Sequence, residues 1–266
     1  MEIWRLLKLE TYNAFMNMAI DEAVLRTRTR DLVPNTIRFY RWNPSAVSIG
    51  RFQDLGKEVQ LDNCIRHGVD VVRRISGGGA VFHESEHEVT YGVITDKENI
   101  KTLGITSVYS KIYAGLAEAI SILGLRADFD KGNMRSCPNL TVDSKKISGS
   151  AQSHSKGFVL QHGTLLTDVD FEKMFTFLRV PWVSTLQEIK NVAERRITSI
   201  RKELKRDISA EKIEGALVEG FERALNIQLE EGKLTPYEEK LAKELHDKRY
   251  TKDEWNLHGR KRLFKV

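Results

Sequence analysis

Cysteine is almost absent from this chain of 266 residues, with only Cys64 and Cys137. Two thiols cannot make the disulfide framework of a small secreted domain, so a reducing cytoplasm is the expected compartment. No apolar run approaches the roughly 20 residues that a membrane-spanning helix needs. The first ten residues, MEIWRLLKLE, interrupt a very short apolar stretch with charges and make a poor secretory signal. There is no internal repeat and no low-complexity linker. The formal charge of +5 and pI near 9.1 permit contact with nucleic acid without demanding it. The excess is diffuse, as in Arg26, Arg28 and Arg30 and over residues 201–206, which reads as solvated helix faces. Neither a membrane nor a nucleic acid is expected as a partner.

What is present is a mixed pattern of helix and strand. A hydrophobic fraction of 41% supports a substantial core, and the length suits one large domain or a domain with a small appendage. Residues 13–27 space Phe15, Met18, Ala19, Glu22 and Leu25 about a turn apart behind a capping Asn13. Strand-like runs follow at 36–42, 46–49, 69–73 and 89–94, with a turn at Asn43–Pro44 between the first two. Residues 107–123 form an amphipathic helix ended by Gly124. Strands return at 140–142, 146–148 and 158–166, with a turn at Asp143 and Ser144. The order is too irregular for strict βαβ alternation. It predicts an α+β fold with a mixed, largely antiparallel central sheet flanked by helices. Residues 208–225 read as a helix, and Thr235-Pro-Tyr-Glu238 is a capping box opening another that buries Tyr237, Leu241 and Leu245. A further short turn is expected at 251–254.

Three segments carry chemistry. RRISGGGAVFHE, at 73–84, places three consecutive glycines after a strand. Such a run suits close approach of a ligand to successive backbone N–H groups, with Arg74 and Ser76 as added donors. A plain surface turn is the alternative. It is neither a Walker motif nor a spaced-glycine dinucleotide fingerprint. KKISGSAQ, at 145–152, offers Lys146 in an extended, apolar-flanked setting, which an exposed strand lysine would also satisfy. LQHGTLL, at 160–166, reads as a buried strand whose His162 makes one satisfying hydrogen bond.

In this order the three segments, with NMAIDEAVL at 17–25, resemble the lipoate–protein ligase A family of the biotin/lipoate ligase superfamily, in a short archaeal-type form. The resemblance runs from about residue 10 to at least residue 170. It implies a biotin/lipoate ligase-type catalytic domain over 1–205, with a helical extension over 206–266 packed on it. It also implies an ATP-dependent ligase that activates lipoate or octanoate as an acyl-adenylate and passes the acyl group to a lysine of a lipoyl carrier domain. That carrier would belong to a 2-oxoacid dehydrogenase complex or be the glycine cleavage H protein. ATP would meet Arg74, Ser76, Gly77, Gly78, Gly79, Ala80, Val81, Phe82, His83 and Lys146. Lipoate would meet Gly78, Lys146, His162, Gly163 and Thr164. Lys146, the catalytic residue, would neutralise the carboxylate and phosphate together, with Mg²⁺ taking part of the triphosphate charge. The Mg²⁺ ligands are not identified by any pattern. Longer bacterial members carry an accessory C-terminal domain, so a separate small accessory protein is an expected partner.

Two other readings compete. In a cysteine-dependent octanoyltransferase, a thiol accepts octanoyl from acyl carrier protein beside a lysine matching Lys146. Cys137 lies in the right region but closer to Lys146 than that branch leads one to expect, which favours the ligase and an incidental thiol. Cys64 is expected to be merely packed. The other alternative is a non-catalytic lipoate-binding module, which would have no use for the phosphate-facing set.

Overall fold

A chain that alternates long apolar residues can bury both faces of a sheet if helices cover each side, and this chain does so. The computed structural model describes residues 1–102, 104–132, 137–180 and 185–258. Residues 259–266 of the expected C-terminal extension lie outside the described residues.

In chain order the strands are β1 (Glu2–Tyr12), β2 (Thr36–Trp42), β3 (Ala46–Ile49), β4 (Asp70–Arg73), β5 (Val81–His83), β6 (Glu88–Asp96), β7 (Asp128–Asp130), β8 (Asn139–Val142), β9 (Lys145–Ser155), β10 (Phe158–Leu166) and β11 (Ile227–Glu231). The helices are α1 (Ala14–Arg28), α2 (Leu55–Glu58), α3 (Leu61–Arg66), α4 (Ile105–Ile122), α5 (Phe171–Phe177), α6 (Leu186–Arg196), α7 (Ile200–Leu204), α8 (Ala210–Leu225) and α9 (Pro236–Leu245), followed by two π-helical turns, His246–Tyr250 and Glu254–His258. The large sheet has the order β11-β1-β2-β6-β10-β9-β8-β7, and a small sheet has the order β4-β3-β5. In the large sheet β1 pairs in parallel with β11 and β2, and every other pairing is antiparallel. The fold is α+β and mixed, as expected.

Period-two alternation sorts the core. Trp4, Leu6, Ile37, Phe39, Tyr91 and Val93 face α4 and α8, meeting Ile112, Leu116 and Phe221. Leu7, Tyr40, Trp42, Ile94 and Leu160 face the other way, onto Met18, Ala23 and Val24 of α1 and Ala242 and Leu245 of α9. A third cluster, with Val47, Ile49, Cys64, Phe82 and Phe177, fills the space around the small sheet. Cys64 is fully buried there, and burial pushes its thiol up to about 11.

Local signals hold where they are strong. The Asn13 side chain accepts from the Met16 N–H at the start of α1. Gly124, just past α4, takes φ +96°. Asp143 and Ser144 both take positive φ, the backbone of a tight hairpin turn between β8 and β9. The Thr235 capping box forms, but α9 does not bury Tyr237, which is 44% exposed. Its neighbour Glu238 turns inward instead. That carboxylate takes both ends of the Arg5 guanidinium at 2.7 and 2.8 Å, besides closing the capping box. A buried bidentate ion pair therefore sets the rotation of the helix, overriding the aromatic ring. The expected helical tail also contributes a strand, β11, at the edge of the large sheet. No helix among the described residues is long and apolar enough to cross a membrane.

Candidate active site

A cavity of about 270 Å³ opens between the two sheets. Its walls include Arg74, Gly78, Gly79, Ala80, Val81, Phe82, His83, Cys137, Lys146, His162, Gly163 and Thr164. All the singled-out residues except Ser76 and Gly77 thus meet in one place. Those two lie just behind the wall and hold it. The remaining lining is largely apolar: Met18, Tyr40, Trp42, Leu166, Met174, Phe175, Leu178 and Ile197.

The Gly-rich loop is shaped by Arg74. Nη2 donates to the carbonyls of Gly77 and Gly79 at 2.7 and 2.6 Å, spanning Gly78 at φ +85°, where a side chain would be strained. Nη1 donates to the backbone and hydroxyl oxygens of Ser48, and Nε to the Ser76 hydroxyl. All five N–H donors of Arg74 are spent inside the protein. Its role in this structure is to clamp the loop, and no N–H is left pointing at a ligand. Burial pushes its pKa down to about 10. The Gly78 and Gly79 N–H groups, by contrast, find no acceptor among the described residues.

Both hydroxyls that receive Arg74 are held from behind. Ser76 Oγ lies 2.6 Å from His162 Nε2, and His162 Nδ1 lies 2.8 Å from Asp21 Oδ2. Ser48 Oγ lies 2.8 Å from His83 Nε2, and His83 Nδ1 lies 2.7 Å from Glu88 Oε1. Each hydroxyl accepts from Arg74, and each imidazole donates through Nδ1 to its carboxylate. His162 therefore makes two hydrogen bonds inside the protein rather than the expected one. Asp21 also accepts from Arg38 at 2.8 Å and from Tyr40 at 2.9 Å. Burial raises its pKa, but the bonds and charges of His162 and Arg38 outweigh it and hold Asp21 below the usual carboxylate range.

Lys146 lies on β9, half-buried. Desolvation holds its ammonium below the usual lysine range; the charge of a Cys137 thiolate draws it up and Arg74 pushes it down. It forms no ion pair among the described residues. Its path is set by Gly149, where an added Cβ would stand 2.5 Å from both Cε and Nζ. Cys137 is exposed and precedes β8. A thiolate there would act on Lys146, Arg74, Tyr109 and Tyr113 alike. The β8–β9 hairpin brings the two segments together: Asn139, two residues after Cys137, pairs with Gly149, beside which Lys146 Nζ lies. No group of three or more His, Cys, Asp or Glu placed to hold a metal occurs among the described residues.

Sequence reasoning missed Asp21, Ser48 and Glu88. Asp21 stands in a largely apolar, periodic segment, where a charge on an inward-facing position was the available signal, whereas Glu88 ends the polar run 84–88 and nothing local singles it out.

The arrangement can receive an anion, shelter an apolar chain and bring an amine beside a thiol. Comparison with known proteins places it. The model of the lipoyl protein ligase A/B catalytic domain matches residues 13–222. An octanoyltransferase LipM of Kyrpidia tusciae is 38% identical, covering 96% of this chain and 99% of its own. The LipM of Bacillus subtilis is 31% identical, covering 96% and 98%. Among solved structures, a bipartite lipoate protein ligase with its E2 lipoyl domain from the archaeon Thermoplasma acidophilum superposes with a TM-score of 0.85 at 30% identity, covering all of both chains. A lipoate-protein ligase A bound with ATP gives a TM-score of 0.84 at 32% identity, covering 97% of this chain and 99% of its own. This chain therefore belongs to the lipoyl protein ligase A/B catalytic-domain family.

Proposed function

We propose that this chain is an octanoyltransferase, which takes an octanoyl group from a carrier thioester onto Cys137 and passes it to a lysine of a lipoyl domain. The observation that carries this reading is the Cys137 thiol on the wall of the same cavity as Lys146. Relatives named as octanoyltransferases, matched along nearly their whole length, support it. So does the structural likeness to a ligase described together with a lipoyl domain.

The chemistry balances with these residues. Lys146, whose pKa burial lowers, takes the Cys137 proton as its free amine. The thiolate attacks the octanoyl carbonyl, and the N–H groups of Gly78 and Gly79, which have no acceptor among the described residues, receive the oxyanion. Collapse expels the carrier thiolate, which takes the proton back from Lys146. The lipoyl-domain amine then attacks the Cys137 thioester, giving its proton to Lys146, and Cys137 leaves as thiolate with the amide formed. The octanoyl chain lies along Met174, Phe175, Leu178 and Ile197.

A second reading is ATP-dependent ligation, favoured by the likeness to an ATP-bound ligase and by the cationic wall. There Lys146 would meet carboxylate and phosphate, Mg²⁺ would screen the triphosphate, and a separate accessory protein could be required. One experiment separates the two. The chain is incubated with octanoyl-carrier protein and a lipoyl domain without ATP, and in parallel with lipoate, Mg-ATP and the same domain, with and without a candidate accessory protein. The transferase reading expects octanoyl on Cys137, removable by hydroxylamine, and a dead Cys137→Ser variant. Transfer by Cys137→Ser that needs ATP would replace it with the ligase reading.

A further inference from the structure

Arg73 and Arg74 are consecutive on and just after β4 and point to opposite sides. Arg74 clamps the Gly-rich loop; Arg73 does for two other segments what its neighbour does for that loop. Its side chain is 1% exposed. Nη1 donates to the carbonyls of Gly50, Arg51 and Gln53 at 3.1, 3.3 and 2.7 Å. Nε donates to the Trp255 carbonyl at 3.0 Å, and Nη2 to those of Asn256 and Leu257 at 3.1 and 3.5 Å. The backbone is seized as well. The Arg73 N–H donates to Asn256 Oδ1 at 3.0 Å, and Trp255 Nε1 donates to the Arg73 carbonyl at 2.8 Å. Asn256 is itself fixed by its Nδ2 donating to the Tyr250 carbonyl at 2.5 Å.

Every side-chain bond of Arg73 thus ends on a carbonyl of one of two chain segments. These are the turn at 50–53 and the last described π-helical turn, Glu254–His258. Two clusters of carbonyl oxygens repel, and a buried cation between them makes them neighbours. The turn at 50–53 in turn touches the Gly-rich loop. The Arg51 N–H donates to the Ser76 carbonyl at 2.9 Å, and any Cβ on Gly50 would collide with the Gly78 carbonyl. A continuous path therefore runs from Asn256 through Arg73 and Gly50 to Gly78. None of Arg73, Trp255 and Asn256 lines the cavity.

We infer that Arg73 is a positioning residue for acyl transfer: braced by the C-terminal turn, it sets the place of the Gly77–Gly79 backbone through the turn at 50–53. This rests on the reading that the Gly-rich loop walls the transfer site. Its test is chosen to be independent of that chemistry.

Hydrogen–deuterium exchange by mass spectrometry on the full chain reads three peptides, covering 75–82, 158–166 and 250–258. In Arg73→Lys and Asn256→Ala, exchange of 75–82 is expected to quicken about five- to tenfold, the worth of one or two lost hydrogen bonds. Exchange of 158–166, in the central sheet, stays at the wild-type rate. Octanoyl transfer loses kcat while KM for the carrier holds. Trp255→Phe keeps an aromatic ring, though a smaller one, and loses the indole N–H, so it shifts the same peptide in the same direction by less. If Arg73→Lys does not fold, the two C-terminal variants decide alone. Quickened exchange at 250–258 with 75–82 and kcat unchanged would overturn the inference, leaving Arg73 as an anchor for the C-terminus only. Loosening of 75–82 in a protein whose wild type transfers nothing would sink the proposed function and leave the positioning role standing.

Discussion

Gly149→Ala separates the placement of Lys146 from the stability of the fold. The new methyl would lie 2.5 Å from Lys146 Cε and Nζ, against a comfortable carbon contact of about 3.5–4.0 Å. The ammonium must therefore retreat by about 1 Å or more, a misplacement that can cost about 100-fold in rate, or about 2.7 kcal/mol of barrier. The fold has little to lose. The displaced atoms end a flexible side chain, and φ at Gly149 is not in the left-handed region. Replacing glycine by alanine in a strand recovers roughly 0.5–1 kcal/mol of chain entropy. Tm should hold or rise by about 1–4 °C while acyl transfer falls by about two orders of magnitude. The assay is single-turnover transfer to a lipoyl domain beside a thermal melt. A double-mutant cycle with Lys146→Ala adds the control, since alanine at 149 should cost nothing further once the lysine is gone. Wild-type transfer by Gly149→Ala, or a loss that merely follows a fall in Tm, would refute the reasoning.

Gly163→Ala should show the opposite balance. Its Cβ would meet the Gly149 carbonyl at 2.6 Å and Ser150 Cβ at 2.5 Å, where backbone cannot yield, so urea unfolding should report a loss of about 1–3 kcal/mol. Asp21→Asn leaves the buried Arg38 without its 2.8 Å partner and should cost about 3–5 kcal/mol at neutral pH. Because Asp21 is held below its unfolded value, its contribution is present above about pH 4 and is lost as the pH falls through the folded value, so wild type and variant should converge in acid. Of the two thiols, only Cys137 should react with a thiol reagent in the native state, Cys64 appearing on unfolding; native labelling of both would contradict the packing around Cys64.

Much of the fold was legible where apolar runs are bounded by turns. β2, β3 and β10 fall on such runs, each buried on both faces, and α4 and α8 on the helical periodicity, to within a few residues at their ends. β1, also buried on both faces, was opaque because charges interrupt its run. Trp4 and Leu6 are buried on one side of it and Arg5 and Leu7 on the other, so the run EIWRLLKLETY shows no clean alternation. β11 is a short parallel edge strand whose partner lies at the far end of the chain, and nothing local announces it. The misjudged face of α9 has the same origin. Tyr237 looked like the core residue because an aromatic ring usually is, but a carboxylate 233 positions from its arginine claimed the interior.

The candidate site divides along the same line. The Gly-rich loop, Lys146 and His162 stand in contiguous motifs, and the structure gathers them into one cavity. The groups that orient them do not: Asp21 reaches His162 across 141 positions, and Ser48 reaches His83 across 35. Cys137 is the sharpest case. Counted along the chain, its nine-residue separation from Lys146 looked wrong for a working pair. Yet distance in a hairpin is set by register, not by count. The turn at Asp143 and Ser144 reverses the strand, and the slip in pairing between Leu140 and Thr141 then carries Asn139 opposite Gly149. The Lys146 side chain runs along β9 to Gly149, opposite Asn139, so the lysine head lies near the segment that carries Cys137. A longer spacing would reach the same cavity only by a different loop, so spacing alone does not decide between an incidental thiol and a nucleophile. What favours the nucleophile is the cavity wall that Cys137 shares with Lys146, Gly78 and Gly79, where the proposed transfer would use the lysine as base and the glycine N–H groups, without an acceptor among the described residues, as oxyanion donors.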